Sequence, residues 1–168
     1  KLSEYLDALS ANIPVDTEER LCENDAVDAV ARYYLSMAQK TGLTSVSLAL
    51  HIPSDTGQVQ ETDLCIIIGN LLENAVTACR GREHSFLRMQ SRIQYGIMTI
   101  TMDNSCPLVC KNPDGSFRSR KTGGGSGLAS IRSAAEKYGG GARFEKREHT
   151  FYSSVYLYLN QNQEDSAK

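Results

Sequence analysis

Residues 64–76, LCIIIGNLLENAV, constrain this chain more than any other stretch. Nearly every position is apolar, so a helix built from it belongs inside a fold. Asn70, Glu73, Asn74 and Thr77 break the pattern at i, i+3, i+4 and i+7, which sets them on one face. A polar stripe on such a helix meets water, a buried network or a ligand. A solvated edge usually carries Lys, Arg and Glu. Two amides and a carboxylate also suit a cavity that offers oxygen ligands to a hard cation such as magnesium. On pattern alone both readings stand.

The remaining segments supply layers for that helix to pack against. Val27, Val30, Ala31, Tyr34, Leu35 and Ala38 predict an amphipathic helix over 25–40, with Gly42 at its stop. Residues 44–52 alternate, Val46, Leu48, Leu50 and Ile52 facing one way, as in a half-buried strand. The central helix is expected over 63–80, with Thr62 as N-cap and Gly81 just past its end. Strands are predicted over 85–94 and 96–102, joined by a hairpin at Tyr95-Gly96. Residues 104–127 read as a long irregular segment, 128–138 as a helix closed by glycines, and 142–148 and 151–159 as two last strands. Helices and strands that fail to alternate strictly point to an α+β fold: an α/β sandwich with helices on one face of a mixed, mostly antiparallel sheet.

A length of 168 residues suits one domain. Residues 1–12 carry a helical stripe (Leu2, Tyr5, Leu6, Leu9) that begins abruptly, like the end of an upstream helix. The domain proper is expected over 13–160, and 161–168 as a disordered tail. The net charge of -2 lacks the basic excess of a nucleic-acid binder. No apolar stretch approaches the roughly 20 residues that cross a bilayer. Five cysteines without a CxxC pair, two of them (Cys65 and Cys79) in the apolar helix, read as buried free thiols of a reducing cytoplasm.

Two further patches carry chemistry. Asp103 ends the strand Met98-Thr99-Ile100-Thr101-Met102 and is followed by Asn104 and Ser105. Asp-Asn commonly fixes its own turn; alternatively the carboxylate accepts a hydrogen bond from a ligand amino group. The run Lys121-Thr122-Gly123-Gly124-Gly125-Ser126-Gly127-Leu128 leads directly into a helix. Its backbone N–H groups and the positive helix end make an anion site suited to phosphate. A surface linker is the plain alternative, although a linker need not end on the first turn of an amphipathic helix. The run has neither the P-loop nor the dinucleotide-fold form.

In this order and spacing the three patches resemble the ATPase superfamily of sensor histidine kinases, DNA gyrase, the large heat-shock chaperone and mismatch-repair ATPases. Asn70-Leu71-Leu72-Glu73-Asn74-Ala75 is similar to its N box, Asp103-Asn104-Ser105 to the start of its first glycine box, and residues 123–128 to the second. Glu136-Lys137-Tyr138-Gly139-Gly140 resembles the histidine-kinase form, and the sparse glycines after Ser105 resemble the branch of Gram-positive peptide-pheromone receptors.

The resemblance implies ATP and Mg2+ as cofactors. Asn74 would ligate the metal, Asn70 would position metal and triphosphate, and Glu73 would orient a nucleophile. Asp103, with Ser105 beside it, would hold the adenine amino group. Lys121, Gly123, Gly124, Gly125, Ser126, Gly127 and Leu128 would wrap the phosphates, with Lys111, Arg118 and Arg120 in the lid. An amide at position 70, where water-using members carry a glutamate, favours phosphoryl transfer over hydrolysis. His51, His84 and His149 do not fit as phosphoacceptors. The resemblance therefore implies an accepting histidine on an upstream dimerisation domain, a homodimeric full-length kinase, a response regulator as partner, no nucleic acid, and a cytoplasmic domain of a membrane-bound receptor. A serine kinase of the anti-sigma-factor type, and a degenerate partner-binding domain, are the alternatives.

Overall fold

The computed structural model describes residues 20–43, 45–106 and 127–160. The expected helix over 1–12, the tail 161–168 and the lid residues 107–126 lie outside these, including Lys111, Arg118, Arg120, Lys121, Gly123, Gly124, Gly125 and Ser126.

Helix α1 (Asp25–Lys40) starts at Asn24, whose Oδ1 accepts the Val27 N–H at 3.0 Å. Acidic Asp25 and Asp28 in its first turn and Lys40 in its last suit the helix dipole. Asn24 is fully buried, and its Nδ2 donates to Glu61 Oε1 at 2.9 Å, tying α1 to the start of α2 (Glu61–Cys79). Thr62 is not the N-cap. The helix begins two residues earlier, at Glu61, and the N–H groups of Asp63 and Leu64 are taken by the Gln60 carbonyl, with no side-chain cap. By length and mean hydropathy (1.2) α2 would pass for a membrane span, contrary to the expectation above. It is the central core helix: 61% of that window is buried inside the fold, and α1 and α3 (Gly127–Glu136) flank it.

Strands β1 (Ser45–Ala49), β2 (Phe86–Gln94), β3 (Ile97–Ser105), β4 (Gly141–Arg147) and β5 (Thr150–Tyr158) form one sheet in the order β1-β2-β3-β5-β4. β1 and β2 are parallel, joined across α2, and the other pairs are antiparallel. The hairpin between β2 and β3 turns at Tyr95 and Gly96, φ +52° and +74°, as the sequence predicts. The helices cover one face. Met89, Met98, Ile100, Met102, Val155 and Leu157 point into it and pack with Leu64, Ile67, Ile68, Leu71 and Leu72 of α2 in one apolar core. At the far end of α3, Gly140 passes so close to the sheet that a Cβ would stand 1.9 Å from the Tyr156 carbonyl oxygen. Only glycine allows this approach.

Candidate nucleotide site

The polar stripe of α2 meets the N-terminus of α3. Asn70, Glu73 and Asn74 are half-buried and Thr77 is exposed. Asn70 Nδ2 donates back to the Ile66 carbonyl at 2.8 Å, one turn earlier, which fixes the amide. Its Oδ1 is turned toward Gly127, where a Cβ would lie 3.0 Å from it. The same Cβ would stand 3.5 Å from Asn74 Nδ2 and 3.7 Å from Asn74 Oδ1. Asn74 makes no side-chain hydrogen bond among the described residues. Two amide oxygens therefore stand beside the first turn of α3, whose N–H groups have no partner within the helix and carry its positive end. Leu128, the second residue of that turn, is half-buried and anchors it on the core. Oxygen donors beside an anion-binding helix end suit a phosphate together with a hard cation.

Asp103 and Ser105 do not join this group. β3 runs on to Ser105, so residues 103–105 are strand and not the start of the irregular segment. Side chains alternate along it: Met98, Ile100, Met102 and Asn104 are buried toward the helices. Asp103 therefore projects from the opposite face, where its cross-strand neighbours are Arg88 and Tyr152. The Ser105 hydroxyl accepts the Phe86 N–H at 3.0 Å and closes the end of β2. The polar residue facing the helices at this strand end is Asn104, which is 5% exposed. Its signal was present in the alternation of Met98, Ile100 and Met102.

The opposite end of α3 holds a cluster that the sequence did not reveal. Asp63, 4% exposed, accepts from Lys137 Nζ at 3.0 Å and from the Tyr138 hydroxyl. Tyr138 in turn accepts the Gln60 N–H at 3.1 Å. Burial, and then the bond to Asp63, push the Tyr138 phenol above its ordinary pKa.

Cys22, Cys65 and Cys79 are free and buried, as expected of Cys65 and Cys79, and burial pushes the Cys65 thiol up to about 11. Among the described residues no cluster of His, Cys, Asp and Glu forms a metal cage, so a cation here would keep water or phosphate ligands. An open cleft of about 760 Å³ between the 20–23 segment and the end of β1, lined by Arg20, His51 and Ile93 among others, contains none of the predicted site residues.

A GHKL domain model matches residues 59–158, from just before α2 to the end of β5. The nucleotide-free catalytic domain of histidine kinase ThkA superposes with a TM-score of 0.61 at 21% identity, over 80% of this chain and 91% of that one. The histidine kinase AdeS of Acinetobacter baumannii gives 0.60 at 13% identity, over 95% and 76%. The histidine kinase domain of the blue-light activated kinase of Erythrobacter litoralis EL346 gives 0.57 at 14%, over 94% and 70%. At such identities the likeness concerns the fold. No curated protein sequence matched. The family match spans more than half of the chain and includes both the α2 stripe and the start of α3, and the chain belongs to the GHKL family of ATP-binding domains.

Proposed function

We propose that this domain binds ATP with Mg2+ and donates the γ-phosphoryl group to a histidine on an upstream dimerisation domain, as the catalytic domain of a sensor histidine kinase. The observation that carries the reading is the approach of Gly127 to the amide oxygens of Asn70 and Asn74. Asn74 ligates the metal and Asn70 holds metal and triphosphate in register. Their fit to magnesium rests on the neutral oxygen donors and on the Asn74 amide, which the described residues leave without a hydrogen-bond partner. The cation, when bound, neutralises phosphate charge. The first turn of α3, with Leu128 as its anchor, receives phosphate oxygens, and Lys121, Gly123, Gly124, Gly125 and Ser126 extend that cradle.

Position 70 favours transfer over hydrolysis. An amide takes no proton from water, so a nucleophile has to come from elsewhere. A histidine nitrogen attacks the γ-phosphorus, the bond to the ADP oxygen breaks, and positioning with charge neutralisation supplies most of the acceleration. Glu73, on the same face of α2, orients that histidine. The reading places the domain in the cytoplasm, where ATP is available, with a response regulator taking the phosphoryl group onward.

Calorimetric titration with ATP, with and without Mg2+, tests the first half. Asn74→Ala is expected to abolish most of the Mg2+-dependent gain and to weaken Mg-ATP by about tenfold or more, one charge-assisted contact. An unmutated chain that binds no nucleotide sinks the proposal. For the second half, the upstream helical segment is restored and phosphate is traced. Acid-labile phosphohistidine supports histidine transfer; acid-stable phosphate on a hydroxyl supports the serine-kinase alternative.

A further inference from the structure

We infer that the cleft where the chain enters the fold is the docking site of the chain's own residues 2–9, which lay the apolar stripe Leu2, Tyr5, Leu6 and Leu9 into it as a helix. The inference goes beyond the nucleotide reading and stands without it. The cleft, of about 760 Å³, opens between the 20–23 segment and the residues that follow β1. Leu50 and Ile52, 6% and 1% exposed, form its floor with half-buried Pro53, and Ile93 stands in its wall. Exposed Arg20, His51 and Ser54 make a polar rim. An apolar floor inside a polar rim is the form that receives an amphipathic helix.

The cleft is a built feature. The Glu23 and Asn24 N–H groups donate to the Ile52 carbonyl at 3.1 and 3.3 Å, and the His51 N–H donates to Ser91 Oγ at 2.8 Å. These bonds tie the entering chain, the 50–52 segment and β2 together around it. Apolar exposure also gathers here. Among the described residues the large hydrophobics left exposed include Ile93, in the cleft wall, and Tyr95, two residues on at the hairpin tip and 93% exposed. Tyr95 holds φ +52°, a conformation that suits Asn or Gly. A bulky side chain kept there with its ring in water has no packing reason within the domain.

The occupant follows from where the chain runs. Residues 1–19 lie outside the described residues and join the fold at Arg20, itself part of the cleft. Leu2, Tyr5, Leu6 and Leu9 recur at i, i+3, i+4 and i+7, with Ser3, Glu4 and Asp7 on the other face. The ten residues 10–19 reach at most about 35 Å, so a return to the adjoining cleft is within their span. A segment tethered at the mouth of its site is present there at an effective concentration on the order of 1 mM. Even a contact with a Kd of about 0.1 mM then keeps it docked about 90% of the time. Docking fixes the direction of this segment, expected above as the end of an upstream helix, relative to the nucleotide domain.

Hydrogen exchange of the full chain, read at residues 2–9, tests this. Exchange there should be about tenfold slower than in a free peptide of residues 1–12. Ile93→Asp puts a charge into the wall and Leu6→Asp puts one into the stripe, and each should return exchange at 2–9 to the peptide rate. A thermal melt shows whether Ile93→Asp folds. Leu6→Asp leaves every described core residue in place, and in it residues 50–54, no longer covered, should exchange faster than in the unmutated chain. Peptide-rate exchange at 2–9 in the unmutated chain overturns the inference. So does protection that survives in folded Ile93→Asp, or exchange at 50–54 that Leu6→Asp leaves unchanged. Protection that appears only with rising chain concentration, together with a dimer in sedimentation, gives the cleft to a second copy and overturns it too. None of these readings involves nucleotide, so a chain that binds no ATP sinks the proposed function and leaves this inference standing.

Discussion

The two ends of α3 both press polar groups against α2, and they finish differently. At the C-terminal end the network is closed. Asp63 takes Lys137 and the Tyr138 hydroxyl, and Tyr138 takes the Gln60 N–H. At the N-terminal end the network is open. Asn70 has spent its nitrogen on Ile66 but keeps its oxygen toward Gly127, and Asn74 makes no side-chain hydrogen bond among the described residues. Closed networks hold a fold together; groups left open beside a helix N-terminus are available to a ligand. Polarity alone did not separate the two. What each group still lacked did.

Removing Asp63 should produce the largest change, and at the closed end only. Asp63→Ala leaves the Lys137 ammonium and the Tyr138 hydroxyl without their buried acceptor, a loss of about 3 kcal/mol for two hydrogen bonds to a carboxylate. For a chain of this size the melting temperature should fall by roughly 9 °C, while the folded fraction binds ATP within about twofold of the parent. A loss of affinity much larger than that would break the comparison, since the clamp would then be shaping the site.

Gly127→Ala reverses the pattern. A methyl group 3.0 Å from Asn70 Oδ1 and 3.5 Å from Asn74 Nδ2 pushes against the two amides assigned to metal and phosphate. We expect Mg-ATP to bind about thirtyfold more weakly, about 2 kcal/mol. Stability should hardly move, because alanine is the better helix former by up to about 1 kcal/mol and offsets the crowding. Unchanged affinity by calorimetry would show that the ligand does not use this end of α3.

Much of this was legible in the sequence, and the failures have physical causes. Periodicity located all three helices and five strands of the described residues to within a few positions, because each buries one face against a single core. The Asn70/Asn74 stripe was legible because amides on an apolar helix lack a packing reason. Asp103 stands on the face of β3 away from the helices because the strand's period of two turns Asn104 inward with Met98, Ile100 and Met102, a direction that motif spacing alone does not carry. The Asp63–Tyr138 bond joins residues 75 apart in sequence, and no local pattern carries such a pairing. Thr62 looked like a cap because sequence shows the residue type but not which carbonyl takes the first N–H groups. The parallel β1–β2 pairing likewise depends on where α2 sends the chain, which spacing does not state.

The smallest effect should be confined by pH. Burial, with the bond to Asp63, raises the Tyr138 pKa, so the native state holds that proton more tightly than the unfolded chain does. The linked stability is fully present below the ordinary tyrosine value of about 10 and is lost as pH rises through the raised native value. Tyr138→Phe lacks the hydroxyl at every pH and should cost about 1 kcal/mol near neutrality. Melting curves of the two proteins should therefore stay separated by a constant gap up to about pH 9 and converge as the phenol ionises beside Asp63. The open end of α3 contains amides and backbone groups that do not titrate in this range, so the same series on Gly127→Ala should show a gap independent of pH. Convergence in both series would mean that the alkaline loss belongs to the fold at large and not to the closed end.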